Sequence, residues 1–221
     1  MSIEAVFFDQ DNTLFNSAEV APEAYDQAFR FISSESGVSI QKIRNSWLNT
    51  LETIRCSSKP EERFFDFSLR IALENLGIDT NLTDLGVDVF HKALSNSIEL
   101  TRGSREFFEQ NLDIKKILFT EDETEQSEMK LRKHDLKKEF NFIVRAKDTG
   151  VMKPDISYLQ KAWKALDLDP QKCVYVGDNW EKDCMLGQKH GGIGVVFGEE
   201  EERADYSIFD MMDLLPIISS E

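Results

Sequence analysis

Cysteine is scarce in this 221-residue chain. Its three cysteines, Cys56, Cys173 and Cys184, are an odd number with no close Cys-x-x-Cys pair. That spacing excludes a disulfide framework and a structural zinc site, and reduced thiols of a cytoplasmic protein are expected. Long apolar runs are missing as well. Glu4 and Asp9 interrupt the opening apolar stretch, which also lacks the basic start of a secretion signal. No run approaches membrane-spanning length, so neither secretion nor membrane insertion is expected. Basic charge is in deficit: 26 Lys and Arg stand against 41 Asp and Glu, a formal net charge of -15. Such a chain repels polyphosphate backbones, which excludes non-specific nucleic-acid binding. A small anionic substrate then needs a metal or local cations to overcome the overall field. Repeats are absent, and the acidic run Glu199 to Glu202 reads as a solvated turn.

What is present suffices for a real core, since 41% of residues are apolar. The length fits one core of ordinary size with an inserted module. Ile3 to Phe8 reads as a strand ending abruptly at Asp9. From about 21 to 100 the periodicity is helical throughout. Tyr25, Ala28, Phe29 and Ile32 share one face; Ile43, Trp47, Leu51 and Ile54 share a second. Pro60 is expected to open a third helix carrying Phe65, Leu69, Ala72 and Leu76, and a fourth runs from about Asp84 through Phe90 and Leu94. Four such helices pack as a bundle. Beyond residue 100 the chain alternates. Strands are expected at 117–119, 142–144, 173–176, 193–197 and near 207–208, with helices over 124–139, 155–166 and 180–190. Alternation of this kind marks βαβ units and a parallel sheet covered on both faces. The first strand has no early partner, so it joins the later sheet and the bundle is an insertion.

In open parallel sheets ligands bind at the carboxyl ends of the strands. Asp9-Gln10-Asp11-Asn12-Thr13 follows the first strand, Thr120 ends the second, and Lys153 follows the third. Gly177-Asp178 follows the fourth, with Asp183 early in the next helix. Any one of these aspartates is more simply a helix N-cap, and Gly-Asp is a common turn. The joint pattern carries the argument: carboxylates, a hydroxyl and a lysine, each at a strand end. Clustered carboxylates repel unless a cation neutralises them, and all-oxygen donors favour magnesium. One carboxylate can attack phosphorus, a second two residues on can move a proton, and lysine and hydroxyl can hold phosphate oxygens. The set describes metal-assisted phosphoryl transfer.

With these motifs the chain resembles the haloacid dehalogenase-like hydrolase superfamily, in its capped phosphatase branch of phosphoglycolate phosphatases, N-acylneuraminate phosphatases and nucleotidases. Asp9-Gln10-Asp11-Asn12-Thr13 matches the DxDxT motif, Ile117 to Thr120 the second, Gly150 to Asp155 with Lys153 the third, and Gly177 to Asp183 the fourth. The resemblance covers essentially the whole chain. It implies a Rossmann-like α/β core, residues 1–16 and 101–221, with a C1-type helical cap over 17–100. It implies that Asp9 is nucleophile and magnesium ligand, and that Asp11 is general acid/base with its backbone carbonyl on the metal. Thr120 and Lys153 would bind the phosphoryl group, Asp178 would ligate magnesium, and Asp183 would support the metal shell or orient Lys153. The implied activity is Mg2+-dependent hydrolysis of a small phosphorylated metabolite through an aspartyl-phosphate, with a sugar-phosphate mutase and a non-catalytic ligand-binding protein as alternatives. Asp11 favours phosphoryl transfer over dehalogenation.

One departure stands out. Thr120 is followed by Glu121-Asp122-Glu123, where related phosphatases carry Asn, Ser or Gly. The Glu121 carboxylate is expected to turn to solvent. His91, His134 and His190 lie on expected helices and read as surface or capping residues, and most of Phe64, Phe65 and Phe67 as bundle core. Trp47 or one of these rings is a candidate pocket lining. Trp180 is read as helix–sheet packing, and Gly191-Gly192 as a turn into the next strand, not a dinucleotide loop.

Overall fold

The computed structural model describes residues 2–54, 57 and 59–219; Cys56 lies outside the described residues. The chain divides into two compact units, one of Met1–Ser17 with Glu99–Glu221 and one of Ala18–Ile98. Four helices occupy the region between the two segments of the first unit. They are α1 (Ser17–Ser36), α2 (Ile40–Ile54), α3 (Phe65–Asn75) and α4 (Leu82–Ser97).

The helical unit is built on an aromatic core. Tyr25 stacks on Phe90 with ring centroids 4.6 Å apart, and Trp47 and Phe65 meet edge to face at 5.9 Å. Full burial of a ring such as that of Phe90 contributes roughly 1.5–3 kcal/mol. The indole N–H of Trp47 donates to Ser68 Oγ at 2.9 Å, so its one polar atom is satisfied inside the unit. Of the three clustered phenylalanines only Phe65 is buried; Phe64 and Phe67 are half-buried. Pro60 opens a short 3-10 turn, Pro60–Arg63, and α3 begins only at Phe65. Phe64 between them is extended, and this breaks the expected continuous helix.

The other unit holds six parallel strands: β1 (Ala5–Phe8), β2 (Lys115–Thr120), β3 (Phe142–Arg145), β4 (Cys173–Gly177), β5 (Ile193–Phe197) and β6 (Tyr206–Ile208). Their spatial order is β3-β2-β1-β4-β5-β6. β1 and β4 are buried throughout, as expected of central parallel strands. Phe7 stacks on Tyr175 of β4 at 4.8 Å, one face of a core that also takes Ile117, Phe119, Tyr158 and Ala162. The connecting helices are α5 (Ser104–Phe108), α6 (Thr124–Lys133), α7 (Ala146–Thr149), α8 (Ser157–Leu166), α9 (Met185–Lys189) and α10 (Leu214–Ser219).

Three helices of this unit also differ from the sequence expectation. α6 stops at Lys133, because Asp135 takes a left-handed φ of 56° and the chain resumes only as a 3-10 turn at Lys137–Glu139. α8 starts at Ser157, after the Asp155 carboxylate has accepted the Ser157 N–H at 2.8 Å. The expected helix at 180–190 is a π-helical turn, Trp180–Cys184, followed by α9. Such turns recur at functional sites, and this one carries Asp183.

Candidate active site

The strand order reverses at β1, so the chain leaves β1 and β4 in opposite directions and a crevice opens beyond their carboxyl ends. Asp9 and Asp178 stand on its two sides. The Asp9 N–H donates to Val176 O at 2.9 Å, so the sheet ladder extends to Asp9 and fixes its backbone. The next residues form a tight loop in which Leu14 and Phe15 N–H groups both bond to Gln10 O, at 3.0 and 3.1 Å. Asn12 sits there at φ 60°, a left-handed conformation that asparagine tolerates.

Asp9 is buried and gripped from two sides. Thr13 Oγ1 donates to its Oδ2 at 3.2 Å, and Lys153 Nζ donates to its Oδ1 at 2.5 Å. Burial pushes its carboxyl up to about 7; Lys153 pulls it down, while Asp183 and Asp11 push it up. The Lys153 ammonium also donates to Asp183 Oδ1 at 2.7 Å and lies 4.0 Å from the Phe119 ring centroid. Burial lowers its pKa, but the Asp183 and Asp9 carboxylates outweigh burial, and it stays charged.

One oxygen from each of Asp9, Asp178 and Asp183 comes within 4.8 Å of the others. Burial raises both Asp178 and Asp183, and Asn12 Nδ2 steadies Asp178 at 3.1 Å. An all-oxygen, carboxylate-rich set of this kind suits a hard divalent cation such as magnesium. Asp183 reaches the group because Gly177 has no side chain: a Cβ there would lie 2.3 Å from Asp183 Cβ. The Asp183 Oδ2 also accepts the Asn179 N–H at 3.1 Å, which pins the carboxylate against the β4 turn.

Thr120 is buried at the end of β2, and its hydroxyl accepts the Asp122 N–H at 3.0 Å while keeping a hydrogen to donate. Glu121 corrects the sequence expectation. Its carboxylate does not turn to solvent but accepts the Lys153 N–H at 2.9 Å and the Lys182 ammonium at 2.7 Å. The supposed repulsive charge is thus neutralised and holds the Lys153 loop.

Asp11 lies apart from the carboxylate trio. Its Oδ1 accepts from both Ser17 Oγ and Lys130 Nζ. Lys130 is fully buried on α6 and bonds a second carboxylate, Asp122 Oδ2, at 2.8 Å. Burial pushes Asp122 up to about 7 against the pull of Lys130. Gln10 joins in, donating to Asp122 at 2.8 Å and accepting from Ser127 at 2.7 Å. Sequence reasoning missed Lys130, Asp122 and Ser127 as parts of the site. The available signal was Leu131: Ser127, Lys130 and His134 stand four before, one before and three after it, on one helix face. His134 is accordingly buried, 5.5 Å from the Phe15 ring, and is the C-cap residue of α6, so of the expected surface or capping role the capping half holds. Trp180 bonds Gln188 through its N–H at 2.6 Å and carries the Arg203 guanidinium 4.3 Å over its ring.

Comparison with known proteins agrees with this picture. The sequence model described as haloacid dehalogenase-like hydrolase matches residues 3–191. A glyceraldehyde 3-phosphate phosphatase of Methanocaldococcus jannaschii is 22% identical, over 99% of this chain and 98% of its own. Pyrophosphatase PpaX of Bacillus cereus is 26% identical over 100% and 98% of the two chains. Among solved structures, a HAD phosphatase from Thermococcus onnurineus superposes with TM-score 0.77 at 19% identity, covering 99% of each chain. The HAD-hydrolase YfnB of Bacillus subtilis, determined with bound magnesium, gives 0.73 at 17%, again covering 99% of each.

Proposed function

We propose that this chain, which belongs to the haloacid dehalogenase-like hydrolase family, hydrolyses a small phosphomonoester through a phosphorylated Asp9. The observation that carries the reading is the environment of Asp9. It is a carboxylate held by Thr13 and Lys153, at the switch point of the sheet, with Asp178 and Asp183 beside it. The relatives named for glyceraldehyde 3-phosphate and pyrophosphate support a small phosphorylated substrate.

Asp9 and Asp178, with the Asp11 backbone carbonyl, would hold magnesium, and Asp183 would support that shell. When bound, the ion would neutralise the carboxylates and polarise the phosphoryl oxygens. Asp9 attacks phosphorus, the P–O bond to the alcohol breaks, and Asp11 gives its proton to the departing oxygen. Asp11, now ionised, takes a proton from water as that water attacks the phosphorus, which frees phosphate and restores Asp9. The Lys153 ammonium and the Thr120 hydroxyl hold the transferring oxygens. The helical unit, Ala18–Ile98, would be the part that selects the leaving group. Pairing of Glu121 with Lys182, and of Asp122 with Lys130, removes the feature that spoke for a non-catalytic binding protein.

The test is phosphate release from p-nitrophenyl phosphate and a panel of small phosphate esters, with magnesium and with chelator. Release that needs magnesium and falls by about 10⁴-fold or more in Asp9→Asn is expected, as for loss of a nucleophile. Turnover that survives Asp9→Asn would sink the reading.

A further inference from the structure

The fully buried Lys130 has no part in the mechanism just given, yet it touches the proton-transferring residue. It projects from α6, and its ammonium is shared between Asp11 and Asp122. Burying an ammonium is costly unless it is fully paired. An ion pair serving stability alone could use either oxygen of Asp11. Here two independent donors, Lys130 Nζ and Ser17 Oγ, converge on the same Oδ1. The Asp11 side chain remains 34% exposed, whereas that of Asp122 is 6% exposed.

Resting on the reading of Asp11 as general acid/base, we infer that Lys130 is a positioning residue that anchors Oδ1 of Asp11 and leaves Oδ2 as the oxygen that gives and takes the proton. Ser17 is the second anchor. An oxygen already accepting two hydrogen bonds, one from a cation, is a poor place for a proton, so the proton goes to Oδ2. Asp122 keeps the lysine in place. Its Oδ2 accepts from both Lys130 and Gln10, and Gln10 in turn accepts from Ser127, one turn before Lys130 on α6. The chain Ser127–Gln10–Asp122–Lys130 thereby ties the helix to the loop that carries Asp9 and Asp11. The unusual aspartate two residues after Thr120 gains a purpose: it is the lysine's second counter-charge.

The experiment measures kcat/KM of wild type, Lys130→Met and Ser17→Ala on a series of aryl and alkyl phosphates, with magnesium. kcat/KM covers steps only through departure of the alcohol, so slower hydrolysis of the phosphoenzyme does not enter. A p-nitrophenolate leaves readily without a proton, and an alkoxide does not. Lys130→Met is expected to lose about 10²–10⁴-fold on alkyl esters, the usual worth of general acid catalysis, and far less on p-nitrophenyl phosphate. Ser17→Ala should show the same bias at smaller size. Should Lys130→Met give no cooperative melting transition, Ser17→Ala decides alone. Equal losses on all esters, or none on alkyl esters, would overturn the inference while wild type and Asp9→Asn behave as proposed above. Failure of the aspartyl-phosphate reading would show differently, as a wild type without Asp9-dependent release, and would take this inference with it.

Discussion

Two buried lysines of the α/β unit, Lys130 and Lys153, make a natural experiment. Each ammonium bridges a carboxylate of the Asp9-Gln10-Asp11 loop to a second carboxylate, Lys153 to Asp183 and Lys130 to Asp122. The difference is in what surrounds them. Around Lys153 three carboxylates gather about one ammonium, Asp9 and Asp183 paired with it and Asp178 beside them. Around Lys130 only two do. The first cluster therefore carries the larger excess of negative charge and is the one that suits a divalent cation; the second balances more nearly by itself. Two aspartates of one loop, Asp9 and Asp11, are thereby set in different electrostatic surroundings.

Removing the first lysine should have the largest consequence that separates the clusters. On the proposed mechanism Lys153→Met takes away a donor to the phosphoryl oxygens, and kcat/KM should fall by about 10²–10³-fold. Unlike the Lys130 variant, it should fall equally for aryl and alkyl esters, because charge on the phosphoryl group is common to both. A leaving-group bias in Lys153→Met would erase the distinction between the two lysines.

The pH response sharpens the same contrast. Burial raises the Asp9 carboxyl to about 7, above its value in the unfolded chain. Without metal, its contribution to stability is then fully present below the unfolded pKa and lost as pH rises toward 7. A cation bound to ionised Asp9 must displace that proton. Apparent magnesium affinity should accordingly weaken by about tenfold per pH unit below 7, and the thermal stabilisation by magnesium should be larger at alkaline than at acidic pH. Calorimetric titration across this range checks it; a pH-independent affinity would show that Asp9 is not the competing group.

The smallest effect is expected at the rim. The Lys182–Glu121 pair is partly exposed, and such pairs are worth about 0–1 kcal/mol. Lys182→Ala leaves the Glu121 charge uncompensated near the expected phosphate position. KM should rise by less than about fivefold with kcat little changed, and the effect should shrink at high salt. A large drop in kcat would mean that Glu121 steers Lys153 more firmly than its single backbone bond implies.

Much of this molecule was legible beforehand. Short apolar strands ending in Asp9, Thr120 and Gly177-Asp178 advertise themselves, because a central parallel strand is apolar along its whole length and its first polar residue marks the carboxyl edge. The helix boundaries after residue 123 were harder. Asp135 in a left-handed turn and the π-helical turn at Trp180–Cys184 leave no periodicity to read. Glu121 was misjudged because its partners, Lys182 and the Lys153 N–H, are 61 and 32 residues away.

By itself, then, the amino-acid sequence determined the alternation of strands and helices, the helical stretch between the first strand and the rest, and the polar residues at the strand ends. Those are local matters of hydrophobic period and polar punctuation. Only the tertiary structure decided which carboxylate meets which ammonium, that Gly177 makes room for Asp183, and that a charged helix hides Lys130 against Asp11. A lysine in a charged helix looks solvated on paper. Burial and a partner 119 residues away, which no local pattern encodes, turn it into part of the site.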